Sequence, residues 1–396
     1  MPSAPRREIV ADDEVGVYHC RSRVVQQARL YGVDPVTGRS YSHRKAWVEQ
    51  RLPELSRHMA VEPLDFAIMD NHLHLMLRNR PDVAVQMDPF EVIHRWCHLC
   101  PTTGITQHEK RYWSEYGPIA PSVEQISRLA DNPVAVACYR KRLSSLSWFM
   151  RLLNQPLAVR ANRESGTKGR FFAERYRCTR IEDEAGLLAC SMYINLNPIR
   201  AGIVDRPELA EHTSAFLRIA AMTSRLWHGG SAMDELAPLD SDADAWLAPV
   251  YLDPRAEAYV QLSDGASGSD ARLDADWLDA AHLPLDSVPG MFRRTGLAPR
   301  LTNQGFLPIP VDEYLKLLDW SGRQLRSDRQ AAQIPEHLSP ILERLGVNAD
   351  NWVVTVNTVG RQFRTSVGHL DAMRKRAAKR GRTTLYGITS SIRAFD

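Results

Sequence analysis

The sequence predicts an α+β protein, an antiparallel sheet covered on one face by helices and followed by a mainly helical C-terminal unit. Three observations lead there. Strand-type runs at 15–25, 64–69 and 72–78 enclose one helical segment and make a β-α-β-β order. Helical patterning returns at 143–163 and 183–196, and from 308 onward it is the only patterning present. No apolar run approaches the roughly 18–20 residues of a membrane span.

Taken in order, VGVYHCRSRVV (15–25) alternates well enough to be a first strand. SHRKAWVEQRLPELSRHMA (42–60) reads as a helix that Pro53 should break or kink. LDFAIM (64–69) is a second strand, Asp70-Asn71 is turn chemistry, and 72–78 returns as the third strand of a hairpin. Residues 80–140 carry turn-rich text (RNRPD, CPTTG, EYGPIAP, ADNPV) and read as an insertion. LSSLSWFMRLLNQPLAVRANR (143–163) and residues 183–196 are helical. The Asp-, Ala-, Pro- and Gly-rich stretch from about 225 to 300 has little periodicity and reads as a linker or loosely packed region. VDEYLKLLDWSGRQLR and LSPILERLGV are amphipathic helices of the last unit. The expected division is 1–220, 221–300 and 301–396.

At 44% hydrophobic and 24% charged residues, the composition is that of an ordinary globular chain. Six cysteines (Cys20, Cys97, Cys100, Cys138, Cys178, Cys190) in so long a chain read as reduced thiols, and the N-terminal MPSAPRREIVADDEV has no apolar h-region. A cytoplasmic protein is expected. The net charge of +3 hides an asymmetry. Residues 140–180 hold eleven Arg/Lys against Glu164 and Glu174, whereas 231–290 hold thirteen acids against two arginines. Residues 361–382 return to eight basic residues against Asp371 alone. The first basic run is interleaved with Phe149, Phe171, Phe172 and Tyr176, which suits a nucleic-acid backbone or, more plainly, a solvated helix face. The basic tail MRKRAAKRGR offers the same two readings.

The chemistry concentrates in NHLHLML (71–77). Strand residues two apart share a face, so His72 and His74 point one way while Leu73, Leu75 and Leu77 point into a core. Two neutral imidazoles side by side begin a metal site, or else form a half-exposed pair on a sheet surface. LACSMYINLNPIRAGIV (188–204) places Tyr193 and Asn197 on one helix face as i and i+4. Asn197 is either a third ligand through its amide oxygen or an N-cap ahead of Pro198. In HRWCHLCPTTGITQH, the residues His94, Cys97, Cys100 and His108 have spacings zinc could use, against a reading as two buried thiols.

NHLHLML, the basic run ending in GRFFAERY, and YINLNPIRAGIV, in this order, resemble the REP-associated tyrosine transposases, part of the wider single-tyrosine HUH transposase family. The family's His-hydrophobe-His is matched by His72-Leu73-His74, and its YIxxNPxRAG by Tyr193, Ile194, Asn197, Pro198, Arg200, Ala201 and Gly202. The resemblance spans roughly residues 15–215 and departs from the family in the long 80–140 segment and in Phe171-Phe172 where tryptophan is frequent. It implies a ferredoxin-like catalytic domain, with Mg²⁺ or Mn²⁺ on His72, His74 and Asn197 and with Tyr193 attacking DNA to leave a 5′-phosphotyrosine. It also implies a single-stranded or hairpin DNA ligand gripped by Arg170, Arg175, Arg177, Arg180 and Arg200, with an unpaired base stacked on Phe172. DNA transposition or recombination near the nucleoid follows, with a homodimer as an open arrangement. Two rival activities stand beside it: a non-catalytic hairpin-DNA-binding regulator, and a metal-dependent phosphoesterase that uses water as nucleophile.

Overall fold

The computed structural model describes residues 5–25, 30–106, 121–228, 242–253, 255–256, 299–326 and, with short gaps, 335–395. Its centre is a five-stranded sheet in the order β2-β3-β1-β4-β5. The strands are β1 (Gly16–Arg23), β2 (Val61–Ile68), β3 (His72–Asn79), β4 (Arg177–Ile181) and β5 (Ser366–Val367). The β2–β3 hairpin closes where the Met69 amide donates to the His72 carbonyl at 2.9 Å. The first four strands pair antiparallel; β1, β2 and β3 are those the sequence suggests, whereas β4 lies in the run read only for its charge. The fifth does not pair antiparallel: β5 comes from the far end of the chain and lies parallel to β4. A parallel neighbour needs a long crossover, which the chain between 182 and 365 supplies.

Strand alternation splits the apolar residues into two cores. Tyr18, Cys20, Leu73, Leu75, Leu77 and Cys178 face one of them, together with α1 (Arg44–His58). Of the two effects expected of Pro53, a break does not occur: α1 continues through it to His58. The "insertion" is itself helical. Beyond the single turn α2 (Pro81–Ala84) come α3 (Pro89–Leu99), α4 (Val123–Ala130) and α5 (Pro133–Leu143), whose N-caps Asp88, Ser122 and Asn132 each accept a backbone amide. The long α6 (Leu146–Glu164) completes this layer.

The second core lies on the opposite sheet face, where Ala67, Met76 and Ile181 meet α7 (Glu184–Asn195) and α8 (Asn197–Arg200). Helices therefore cover both faces, a correction to the one-sided layer. Into this core pack α9 (Ser214–His228), α10 (Val311–Arg326), α11 (Ser339–Arg344), α12 (Trp352–Gln362), α13 (Leu370–Lys379) and α14 (Ile388–Phe395). Described residues of the 301–396 stretch thus share a sheet and a core with the N-terminal half. Part of the stretch read as a linker is built in too: Trp246 and Leu247 are buried in the first core, Ala248 and Val250 in the second.

One buried network sets the rotation of α7. Asp65, fully buried beside a register shift in β2, accepts Ser191 Oγ at 2.6 Å, Asn195 Nδ2 at 3.1 Å and Ser214 Oγ at 2.7 Å, and pairs with Arg218. Ser191 and Asn195, about one turn apart, share the side of α7 that meets this carboxylate, and Tyr193, two residues from each, projects from the other side of the helix.

Candidate active site

The β1–β3 register places Arg21 opposite His74 and Arg23 opposite His72. Parity therefore puts His19, Arg21 and Arg23 on the same face as His72 and His74. His19 is the diagonal neighbour of His74, and the two rings make contact: His19 Nε2 lies 2.7 Å from His74 Nδ1, with centroids 5.0 Å apart. The His72 ring meets His74 edge-on at 4.7 Å, and its Nδ1 is 2.5 Å from Asn71 Oδ1.

Tyr193 comes down onto this face from α7. Its ring lies edge-on to His19 at 5.8 Å and to His74 at 5.7 Å, and the Arg200 guanidinium sits 3.9 Å above it. Arg200 is held there by the ending of α8. Gly202 takes φ 69°, its amide donates to Ile199 O, and the Ile203 amide donates to Pro198 O, which is a Schellman closure. The glycine of the RAG motif is thus required by backbone geometry. From the other side α12 presses in at Gly360, where an added Cβ would lie 2.3 Å from Tyr193 Cζ. Only glycine lets the helix approach so closely.

Burial and the neighbouring cations keep the imidazoles uncharged. The His19 pKa falls to about 3 and that of His72 to about 4, chiefly by loss of solvent and then by Arg21. His74, fully buried, is pushed well below its ordinary value for the same first reason and then by its two histidine neighbours. Arg21 and Arg200 are themselves lowered by burial.

Of the residues expected from sequence, His72, His74, Tyr193 and Arg200 come together. Asn197 is not the N-cap, and both ends of its amide are engaged within the chain. Its Nδ2 donates to the Tyr193 carbonyl at 3.1 Å and its Oδ1 accepts from Arg200, while Leu196 occupies the N-cap position without a side-chain bond. Arg170 and Arg175 are exposed on the loop before β4, Arg177 is exposed beside Glu174, and Phe172 is half-buried. That loop runs along the end of β1, since Val24 bridges Phe172 and the Ala173 amide bonds Arg23 O. Arg180 is a correction: it is buried against Tyr18 Oη at 2.6 Å with Glu14 and Glu182 beside it, so it has no free fork for a phosphate. The basic tail is likewise engaged, Arg376 and Lys379 with Glu14, and Arg382 with Glu8.

Sequence reasoning missed His19, Arg21 and Gly360. The first two carried a signal, because the alternation YHCRSR puts His19 and Arg21 opposite the apolar Tyr18 and Cys20. Gly360 carried none.

Cys97 is fully buried, and burial pushes its thiol up to about 12 and that of Cys100 to about 11. The His94 ring lies on His98 at 4.2 Å, and His108 lies outside the described residues. Among the described residues no three His, Cys, Asp or Glu side chains are arranged to hold a metal ion, and no helix is long and apolar enough to cross a membrane. The pair His72/His74 nevertheless fits a divalent cation chemically. Asn71 Oδ1 can only accept, so the His72 proton sits on Nδ1 and Nε2 keeps its lone pair; His74 Nε2 is buried with no hydrogen-bond partner. Compared with family models, curated proteins and solved structures, the chain matches none.

Proposed function

We propose that this chain is a metal-dependent, single-tyrosine enzyme that nicks and rejoins single-stranded DNA at hairpin or palindromic sites, as its resemblance to REP-associated tyrosine transposases implies. The observation that carries the reading is the seating of the Tyr193 phenol against His19 and His74 and beneath Arg200, on the sheet face that also holds His72. Neutral imidazoles, a phenol and a ring of arginines are the parts a phosphoryl transfer to tyrosine needs.

Mg²⁺ or Mn²⁺ held by His72 and His74 would supply Lewis-acid polarisation of the scissile phosphate, with Mn²⁺ the better match to imidazole. The remaining work falls to the chain. Arg21 and Arg200 stand beside the phenol, where they offset charge on the phosphate oxygens. The Tyr193 oxygen forms a bond to phosphorus as the bond to the 3′ oxygen breaks. The phenol proton is lost and the 3′ oxygen gains one, leaving a 5′-phosphotyrosine and a 3′-hydroxyl. Because the phosphodiester is exchanged rather than hydrolysed, the reverse step rejoins the strand. The exposed Arg170, Arg175 and Arg177, next to the Arg23 end of β1, extend the cationic face toward the backbone of the bound strand. Tyr193 is 5% exposed, so a phosphate reaches its phenol only when the packing around it opens.

The test is covalent capture. The protein incubated with single-stranded hairpin DNA and Mn²⁺ is expected to give a denaturation-resistant adduct, and Tyr193→Phe to abolish it while DNA binding persists. Normal adduct yield in Tyr193→Phe would overturn the assignment. Cleavage without any adduct would favour water as the nucleophile, and hairpin binding without cleavage would favour the regulator.

A further inference from the structure

We infer that His19 is the positioning residue that holds His74 in the tautomer with a free Nε2 lone pair, making a three-imidazole relay in which His72 and His74 face the cation and His19 stands behind. The inference rests on the metal-dependent reading of this site.

His19 Nε2 and His74 Nδ1 are 2.7 Å apart in a buried, stacked pair, and a neutral imidazole has one donor and one acceptor nitrogen. If His19 donated, the His74 proton would sit on Nε2. That atom is buried with no hydrogen-bond partner, so the N–H would be an orphaned donor that no cation could satisfy. If His74 donates from Nδ1, its Nε2 carries a lone pair that a cation can satisfy, and His19 Nε2 is the acceptor. The same arrangement recurs one step along the strand, where His72 Nδ1 faces Asn71 Oδ1 and leaves His72 Nε2 as the lone-pair atom. Both histidines of the pair are therefore presented through the same ring nitrogen, each by a partner on its Nδ1. This is the role that a carboxylate or carbonyl plays behind a metal-bound histidine. A neutral acceptor suits this site, because Arg21 lies opposite His74 in the strand register and Arg200 covers the neighbouring Tyr193 ring. The ring packing fixes the geometry further: His19 is 8% exposed and His74 fully buried, so neither can turn away to solvent.

The first measurement needs no variant and no metal. In long-range ¹H–¹⁵N spectra of the metal-free protein, His74 is expected to carry its proton on Nδ1, with Nε2 as the pyridine-type nitrogen. The second is Mn²⁺ binding followed by EPR of the free ion. His19→Phe keeps the ring volume but cannot accept; it is expected to weaken Mn²⁺ binding about 10–100-fold. His19→Gln can accept through Oε1 and is expected to stay within a few-fold of the wild type, a rescue that a merely space-filling role would not produce. His74 protonated on Nε2, or His19→Phe binding Mn²⁺ as tightly as wild type, overturns the inference while leaving the metal-dependent reading standing. A wild type with Nδ1–H on His74 that holds no Mn²⁺ at all overturns that reading, and the inference with it.

Discussion

The close approach of α12 to Tyr193 makes a quantitative prediction. An ideal Cβ on Gly360 would lie 2.3 Å from Tyr193 Cζ, 2.5 Å from Cε1 and 2.6 Å from Oη, where ordinary contact starts at 3.4 Å. Relief therefore requires the ring and helix to separate by about 1.1 Å, the difference between 3.4 and 2.3. The ring has little room to yield, because Arg200 covers its face at 3.9 Å and His19 and His74 stand at its edges. Overpacking of this kind costs about 1–3 kcal/mol, against a helix-propensity gain for Gly→Ala of up to about 1 kcal/mol. Gly322→Ala in α10 is the control. There the added Cβ meets only the ends of Ile199 and Leu196 side chains at 3.1 and 3.2 Å, so the propensity gain should survive. Urea unfolding should place Gly360→Ala below Gly322→Ala by about 1–3 kcal/mol. The decisive step is a double-mutant cycle. Tyr193→Ala alone costs about 3–5 kcal/mol by analogy with other buried aromatics, but in that background Gly360→Ala should lose its penalty, leaving a coupling of about 1–3 kcal/mol. Strict additivity of the two substitutions would refute the placement of Tyr193 beneath α12, and with it the site as described.

Three further outcomes are expected. Asp65→Ala strands the buried Arg218 without its carboxylate and should cost about 3–5 kcal/mol in the same unfolding experiment, whereas a loss below about 1 kcal/mol would show the network to be incidental. His72 has its folded pKa depressed to about 4 from 6.5, so between those values the unfolded chain binds the extra proton. Its contribution to stability is therefore intact above pH 6.5, falls on acidification toward pH 4 and levels off below; His72→Gln should flatten that slope, and an unchanged pH profile would contradict the burial. Joint replacement of Arg170, Arg175 and Arg177 by alanine should weaken single-stranded DNA binding across sequences and reduce the salt slope by roughly 0.7 for each phosphate left without its arginine, while Phe172→Ala should cost about 1–3 kcal/mol of binding with little change in slope. Anisotropy at several salt concentrations distinguishes them, and a triple variant that binds as wild type would remove this loop from the DNA path.

What the amino-acid order determined by itself is whatever obeys a short period or a local rule. HLHLML must put both histidines on one face and three leucines on the other, because strand side chains alternate. Asp183 starts α7 because its side chain accepts a free amide, and Gly202 closes α8 because only glycine takes that backbone conformation easily; Asp88-Pro89 and Asn132-Pro133 carry the same capping signal inside the segment read as turn-rich insertion. The β-α-β-β order and the positions of α6 and α7 follow from the same kind of signal. Tertiary structure decided everything that depends on which distant segment arrives as a neighbour. Composition marks Arg180 and Arg175 as equal members of one basic run, yet Arg180 is buried against Tyr18 and Glu14 while Arg175 faces solvent, because strand parity and the packing of the N-terminal segment separate them. Arg376 and Arg382 of the tail pair with Glu14 and Glu8, more than 350 residues away in the chain. β5 joins the sheet as a two-residue strand too short to carry a pattern. The site itself divides along this line. His72, His74 and Tyr193 are legible as motifs, whereas His19 becomes a partner only through the β1–β3 register, and Gly360 matters only because α12 crosses Tyr193. A local period is written in consecutive residues; a register or a helix crossing is a compromise among many weak interactions spread along the chain, and no single stretch records it.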